Sequence, residues 1–275
     1  MAEHKAPAAF AATRTLSRLH QRVYTAVAVP TQPLRVSKMP KQPHRKRPID
    51  LYYWPTPNGW KITIMLEECE LPYNVIAVNI AQGDQFKPEF LAISPNNRMP
   101  AIVDHTGPGG KAISIFESGA ILQYLGRKTG KFYPRTERAR TEVEQWLFWQ
   151  MANLGPKAGE ASHFRNYAAE KLPYAIDRFM NEMNRLYGVM DRQLQHREFL
   201  AGRYSVADIA CIGWARRAER LGHDLDPFAN VRRWRERVMA RPAVKRGFGV
   251  KVEAAFHVDI NDASVRAVLF NQRAR

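Results

Sequence analysis

Asp50-Leu-Tyr-Tyr-Trp-Pro-Thr-Pro-Asn-Gly-Trp-Lys-Ile-Thr-Ile-Met-Leu-Glu-Glu-Cys-Glu70 reads as one strand turning sharply into one helix. Leu51 to Trp54 are strand formers, and Pro55, Pro57 and Gly59 punctuate the turn. Ile62, Met65, Leu66 and Cys69 then recur at i, i+3, i+4 and i+7, which predicts one apolar stripe on an amphipathic helix. The polar segment Thr56 to Gly59 therefore falls where unpaired backbone N–H groups and the positive end of a helix dipole face outward. Such a place favours an anion. The Thr56 hydroxyl and Asn58 amide are donors beside it, although residues of these types also shape turns and cap helices.

Around this stretch the chain is long enough, at 275 residues, for one large domain or two modest ones. Its apolar content of 45% and lack of an uninterrupted apolar run near twenty residues indicate a soluble globular protein and no membrane span. Cys69 and Cys211 have neither metal-like nor redox-like spacing, so both read as buried free thiols in a reducing, cytoplasmic setting. The net charge of +16 suggests nucleic acid until it is located along the chain. Residues 1–49 carry +9 and residues 241–275 carry +4, leaving +3 between them. The basicity belongs to the ends, and without interleaved aromatics it does not make a nucleic-acid partner the leading expectation.

Residues 1–48 divide into two halves. The second, rich in Pro, Lys and Arg, cannot build a core. The first has the pattern of a basic amphipathic helix, with Phe10, Leu16, Leu19 and Val23 opposite Arg14, Arg18 and Arg22. An organelle presequence has this character; Arg45-Lys-Arg47 also has the form of a nuclear element. From 49 to 130 the order is strand, helix, strand, helix, strand, strand, helix. The later strands fall at Tyr73–Val78, Ala101–Val103 and Ile113–Phe116, and the third helix is marked by Ile121, Leu122 and Leu125. Such alternation implies a sheet covered by helices. Between 135 and 245 the signal is all helical: one stripe from Val143 to Met151, a longer one from Ile176 to Leu194, and a last helix with Val231, Trp234 and Val238, closed by Pro242. Ser205-Val-Ala-Asp208 has the form of a capping box. Residues 246–275 read as a C-terminal tail.

The opening strand, turn and helix resemble the start of a thioredoxin-like fold, with Thr-Pro-Asn-Gly standing where redox members carry Cys-x-x-Cys. Asp84-Gln-Phe86, Ser94-Pro-Asn-Asn-Arg-Met-Pro-Ala-Ile-Val-Asp104 and Phe116-Glu-Ser-Gly-Ala-Ile-Leu-Gln-Tyr-Leu125 follow in order. Together these motifs resemble the glutathione transferase superfamily, and more narrowly its bacterial Nu class and the related fungal nitrogen-regulator (prion) proteins. The resemblance implies an α/β thioredoxin-like domain followed by an all-α domain, usually in a homodimer on which an N-terminal extension such as residues 1–48 would pack. It implies glutathione as co-substrate, no metal, and catalytic donors Thr56 and Asn58. It further implies that Met99 binds glutathione through main-chain atoms before a cis Pro100, with Asn97 and with Arg98 near the glycine carboxylate. Ser118 and its helix start would take the γ-glutamyl carboxylate, and Glu117 the ammonium. Gln85 and Arg178 match glutathione-contacting positions, and His163, Tyr167 and Tyr174 are candidates for the acceptor pocket.

Glutathione has a thiol of ordinary pKa about 8.5. Lowering it by about two units takes roughly 2.7 kcal/mol in favour of the anion, within reach of a helix N-terminus and one or two good donors. The leading function is a glutathione-dependent thiol–disulfide oxidoreductase, and the Nu-class resemblance implies that it binds two glutathiones or the disulfide. Conjugation of an electrophile, or cleavage of an aromatic thioether or β-aryl ether, would use the same thiolate. A non-catalytic glutathione-binding regulator is a third reading.

Overall fold

Short runs of β-branched and aromatic residues form the sheet on which the site is built. In the computed structural model, which describes residues 48–270 and Gln272, strand β1 (Ile49–Tyr53) leads through helix α1 (Pro57–Cys69) to strand β2 (Tyr73–Ala77). The two strands pair in parallel, Ile49 opposite Tyr73, so a crossover is required and α1 supplies it. A 3₁₀ turn at Asp84–Phe86 and the short helix α2 (Pro88–Leu91) lead to β3 (Ala101–Asp104) and β4 (Ile113–Phe116). Both run antiparallel to their neighbours, giving the order β2-β1-β3-β4. Helix α3 (Ser118–Thr129) completes this half. The readings offered for the basic extension 1–47, including its order, its helix and its targeting, lie outside the described residues.

The second half is helical throughout. Helix α4 (Glu137–Trp149) passes through a π-helical stretch, Gln150–Leu154, into α5 (Gly155–Ser162), and a further π-helical turn, His163–Tyr167, ends it. Helices α6 (Pro173–Leu194), α7 (Val206–Ala215) and α8 (Ala229–Ala240) follow. Pro242 does end α8, yet it also begins α9 (Pro242–Gly249), because its missing N–H falls in a first turn where that group has no intrahelical acceptor. The last helix expected from the sequence is therefore followed by two more. Within the stretch read as a tail lies α10 (Ala263–Phe270).

The single apolar stripe expected on α1 is corrected by the structure. Trp60, Lys61, Thr63 and Ile64 are buried along with Ile62, Met65 and Leu66, so the helix is enclosed on every side. Helix α3 packs on it within the first half, while α7 and α9 cover it from the second. Their approach depends on missing side chains: a Cβ on Gly213 would lie 2.8 Å from the Pro57 carbonyl oxygen, and one on Gly247 2.7 Å from the Ile64 backbone. Thr63 Oγ1 donates to the Gly247 carbonyl at 2.9 Å across the same junction.

The capping box at the start of α7 forms as read. Ser205 Oγ accepts from Ala207 N, and one Asp208 oxygen accepts from Ser205 N at 3.0 Å. The other Asp208 oxygen accepts from Leu200 N at 3.0 Å and from Trp234 Nε1 at 2.8 Å, tying α7 to α8. Burial pushes this carboxyl up to about 6 despite those three N–H donors. Asp208→Ala would strand three buried N–H groups, so a loss of about 3–5 kcal/mol is expected. A lower urea midpoint with an unchanged slope would register it, and a loss below about 1 kcal/mol would contradict the assignment.

Candidate functional site

The turn before α1 prepares one end of a cleft. Thr56 Oγ1 accepts from Gly59 N at 3.2 Å and so caps the helix, while its own proton is directed to Met99 Sδ at 3.6 Å. Pro57 has no N–H, and Trp60 N is bonded to the Thr56 carbonyl. The Asn58 N–H is left without an intrahelical acceptor. Its side-chain amide makes no hydrogen bond among the described residues, so two donors of one residue stand free beside the positive end of the dipole.

These groups open into a cavity of about 410 Å³. From the sheet half it is lined by Thr56, Asn58, Gln85, Asn97, Arg98 and Met99. The Met99–Pro100 bond is cis, and Asn97 is left-handed at φ 46°. Gln85 is buried, with Nε2 donating to the Ile80 carbonyl at 3.2 Å and Oε1 lacking a partner. An unpaired buried acceptor on a cavity wall suits a ligand N–H. Arg98 is exposed and donates to the Asn97 carbonyl at 3.2 Å.

Glu117 and Ser118 do not line this cavity, and neither does the buried Pro100. Asn96 Nδ2 donates to Glu117 Oε1 at 3.2 Å, joining the loop of Asn97 and Arg98 to the start of α3. Glu117 has φ 66°, a conformation that costs a non-glycine residue energy and that concentrates at binding sites. Ser118 is buried as the first residue of α3, and its Oγ accepts from Lys61 Nζ at 3.3 Å. Lys61 also donates to Gln150 Oε1 at 2.8 Å and is itself fully enclosed. Burial lowers its pKa to about 7, although Cys211 and Glu117 act to raise it.

From the helical half the cavity receives His163 and Tyr167, two of the candidates for the acceptor pocket, together with Trp214, Leu221 and Arg217, which the sequence does not single out. The C-terminal stretch adds Leu269, Phe270 and Gln272. The Phe270 ring stacks on Tyr167 at 5.6 Å and meets His163 edge-on at 5.1 Å, and an Arg266 Nη donates to the Tyr167 carbonyl at 2.5 Å. Tyr174 and Arg178 are not brought here. Tyr174 is 84% exposed at the start of α6, and Arg178 is exposed one turn on. The buried stripe of α6 begins only at Met183, so its first turns carry these two side chains away from the cleft.

Residues 47–127 match the family model of the glutathione S-transferase N-terminal domain, and residues 162–242 match that of its C-terminal domain. The chain belongs to the glutathione transferase family. This glutathione transferase is 51% identical, over 71% of its own length and 92% of the relative's, to the disulfide-bond oxidoreductase YfcG of Escherichia coli K12. It resembles the crystal structure of a glutathione transferase from Pseudomonas putida with one glutathione disulfide bound per subunit. There the TM-score is 0.73 and the identity 40%, over 76% of this chain and 95% of that one. A family member from Pseudomonas fluorescens Pf-5 with two glutathione bound gives 0.72 and 42%, over 76% and 96%. Among the described residues of this transferase no group of three or more His, Cys, Asp or Glu is placed to hold a metal ion, and no helix is long and apolar enough to cross a membrane.

Proposed function

We propose that this glutathione transferase is a glutathione-dependent disulfide oxidoreductase in which the attacking sulfur belongs to glutathione. The observation that carries this reading is the cleft at the start of α1. Free donors on Asn58 and the Thr56 hydroxyl line it, whereas Cys69 and Cys211 are both buried elsewhere. Burial pushes both cysteine thiols up, away from the thiolate that attacks disulfides. The relatives that carry a disulfide oxidoreductase name or hold glutathione disulfide support the same assignment.

In this mechanism the helix start and Asn58 hold a first glutathione as its thiolate. It attacks one sulfur of the acceptor disulfide, forming a glutathione–acceptor mixed disulfide and expelling the other acceptor sulfur as a thiolate that takes up a proton. A second glutathione thiolate attacks the glutathione sulfur of that mixed disulfide and expels the remaining acceptor thiol. Two glutathione thiols are oxidised to one glutathione disulfide, and one acceptor disulfide is reduced to two thiols. Gln85, Asn97, Arg98 and the Met99 main chain hold the tripeptide. Glu117 and the start of α3 suit its γ-glutamyl zwitterion, with an acid for the ammonium and helix N–H groups for the carboxylate.

The test is direct. Reduction of a small neutral disulfide should be glutathione-dependent and should persist within about twofold in a Cys69→Ala, Cys211→Ala variant, a limit corresponding to about 0.4 kcal/mol in the barrier. Faster conjugation of a chlorinated aromatic than reduction of the disulfide would overturn the assignment. The reading extends to a Nu-class homodimer in the cytoplasm, with the 60% exposed Phe148 as an apolar side chain for a subunit contact and two free thiols suited to a reducing compartment.

A further inference from the structure

Arg217 stands just past the end of α7, half-buried, on the wall of the cleft. Its guanidinium has no hydrogen bond or ion pair among the described residues, whereas Arg185, Arg235 and Arg241 each meet a carboxylate. What it touches is aromatic: its Cζ lies 5.1 Å from the centre of the Trp60 ring. Burial and the neighbouring cations Arg220 and Arg216 bear against its charge, but a guanidinium keeps its proton in a protein. No Asp or Glu is among the residues that line the cavity, whose other charged member is Arg98. The same cavity wall carries the apolar side chains of Trp214, Leu221 and Leu269.

A half-desolvated cation facing a cleft without a counterion is costly, and an anion arriving with a ligand relieves that cost. Because the surroundings are aromatic and aliphatic, the anion best accommodated is one carried on an apolar body. We propose that Arg217 is a specificity-determining residue, selecting acceptor disulfides that join a carboxylate to an aromatic or apolar group. The proposal rests on the oxidoreductase reading above and names the acceptor class for it. In the reaction already written, the carboxylated half is the acceptor thiol expelled, and Arg217 acts on its binding without exchanging a proton or an electron.

The full chain and its Arg217→Gln variant would be compared first by calorimetry with S-benzylglutathione and S-(4-carboxybenzyl)glutathione. The parent should bind the carboxylated thioether about tenfold more tightly, and the variant should bind both equally, with its affinity for S-benzylglutathione unchanged within about twofold. In turnover, KM for bis(4-carboxyphenyl) disulfide should rise about tenfold in the variant while KM for neutral 4,4′-dithiodipyridine and both kcat values hold. Arg217→Lys should recover part of the preference. A preference that survives in Arg217→Gln, or an equal loss of both thioethers, overturns the proposal. If the parent binds neither thioether, the glutathione site itself is wrong and the proposal falls with it. Selective binding without turnover of either disulfide removes the redox reading and with it the acceptor class.

Discussion

Asn58→Ala is expected to lower kcat/KM for glutathione-dependent reduction of a small neutral disulfide about 100-fold, the order found when one donor to a developing or resident anion is removed from an enclosed site. The residue suits such a test because its side-chain amide is engaged with nothing else among the described residues. It lies in the first turn of α1, where alanine is well tolerated, so stability should change by less than about 0.5 kcal/mol. The loss should appear in the pH profile as well as in the rate. With the Asn58 amide present, the bound thiol should ionise below its free value; without it, that ionisation should move up by about one to two units, since each unit is worth about 1.4 kcal/mol. Thr56→Ala is a less clean comparison, because the same hydroxyl caps the helix, and losing the cap costs about 1 kcal/mol of stability by itself. An Asn58→Ala enzyme with the parent's profile, alongside a Cys69→Ala enzyme that is dead, would transfer the reaction to the protein's own sulfur and end the borrowed-thiol mechanism.

Thr56 and Asn58 were legible because everything that defines them is local: a strand, a proline-punctuated turn and an apolar helical repeat within twenty-one residues. Gln85, Asn97, Arg98 and Met99 were placed by their motifs, and the cleft gathers all four. Lys61 was not legible in the same way. Its flanking residues Trp60 and Ile64 lie off the apolar stripe and are a faint sign of a second buried face. The elements that cover that face, however, come from α7 and α9, far along the chain, and their approach turns on Gly213 and Gly247. Arg217, Leu269 and Phe270 share this difficulty, because only the tertiary path carries them to the wall of a cleft begun at Thr56. Tyr174 and Arg178 lie outside this cleft for the opposite reason. The α6 stripe was read correctly as core, yet nothing in its periodicity says that burial starts only at Met183.

Lys61→Met should separate the two sides of this buried network through pH. The lysine titrates near 7 in the folded chain and near 10.5 when unfolded, so between these values the unfolded chain holds a proton that the folded chain has released. Stability therefore rises with pH across that window, and below pH 7 the full cost of the buried cation is present. A gap of about 3.5 units corresponds to roughly 5 kcal/mol, against which stand the contacts to Gln150 Oε1 and Ser118 Oγ. Methionine removes the charge but leaves both acceptors short of a donor, at a cost of about 1–3 kcal/mol. At pH 6 the variant should accordingly be more stable than the parent by about 2–4 kcal/mol, and near pH 9.5 it should be equal or less stable, as read from urea unfolding at the two pH values. Parallel pH dependences for parent and variant would show that the Lys61 charge is not confined as the structure has it. The same charge lies behind Ser118 at the start of α3, so an anion docked there should raise the Lys61 pKa and draw in a proton. Binding of S-methylglutathione, which has no thiol to ionise, should then weaken more steeply from pH 7 to pH 9 in the parent than in Lys61→Met. Equal slopes would remove Lys61 from the binding site and leave it a purely structural cation.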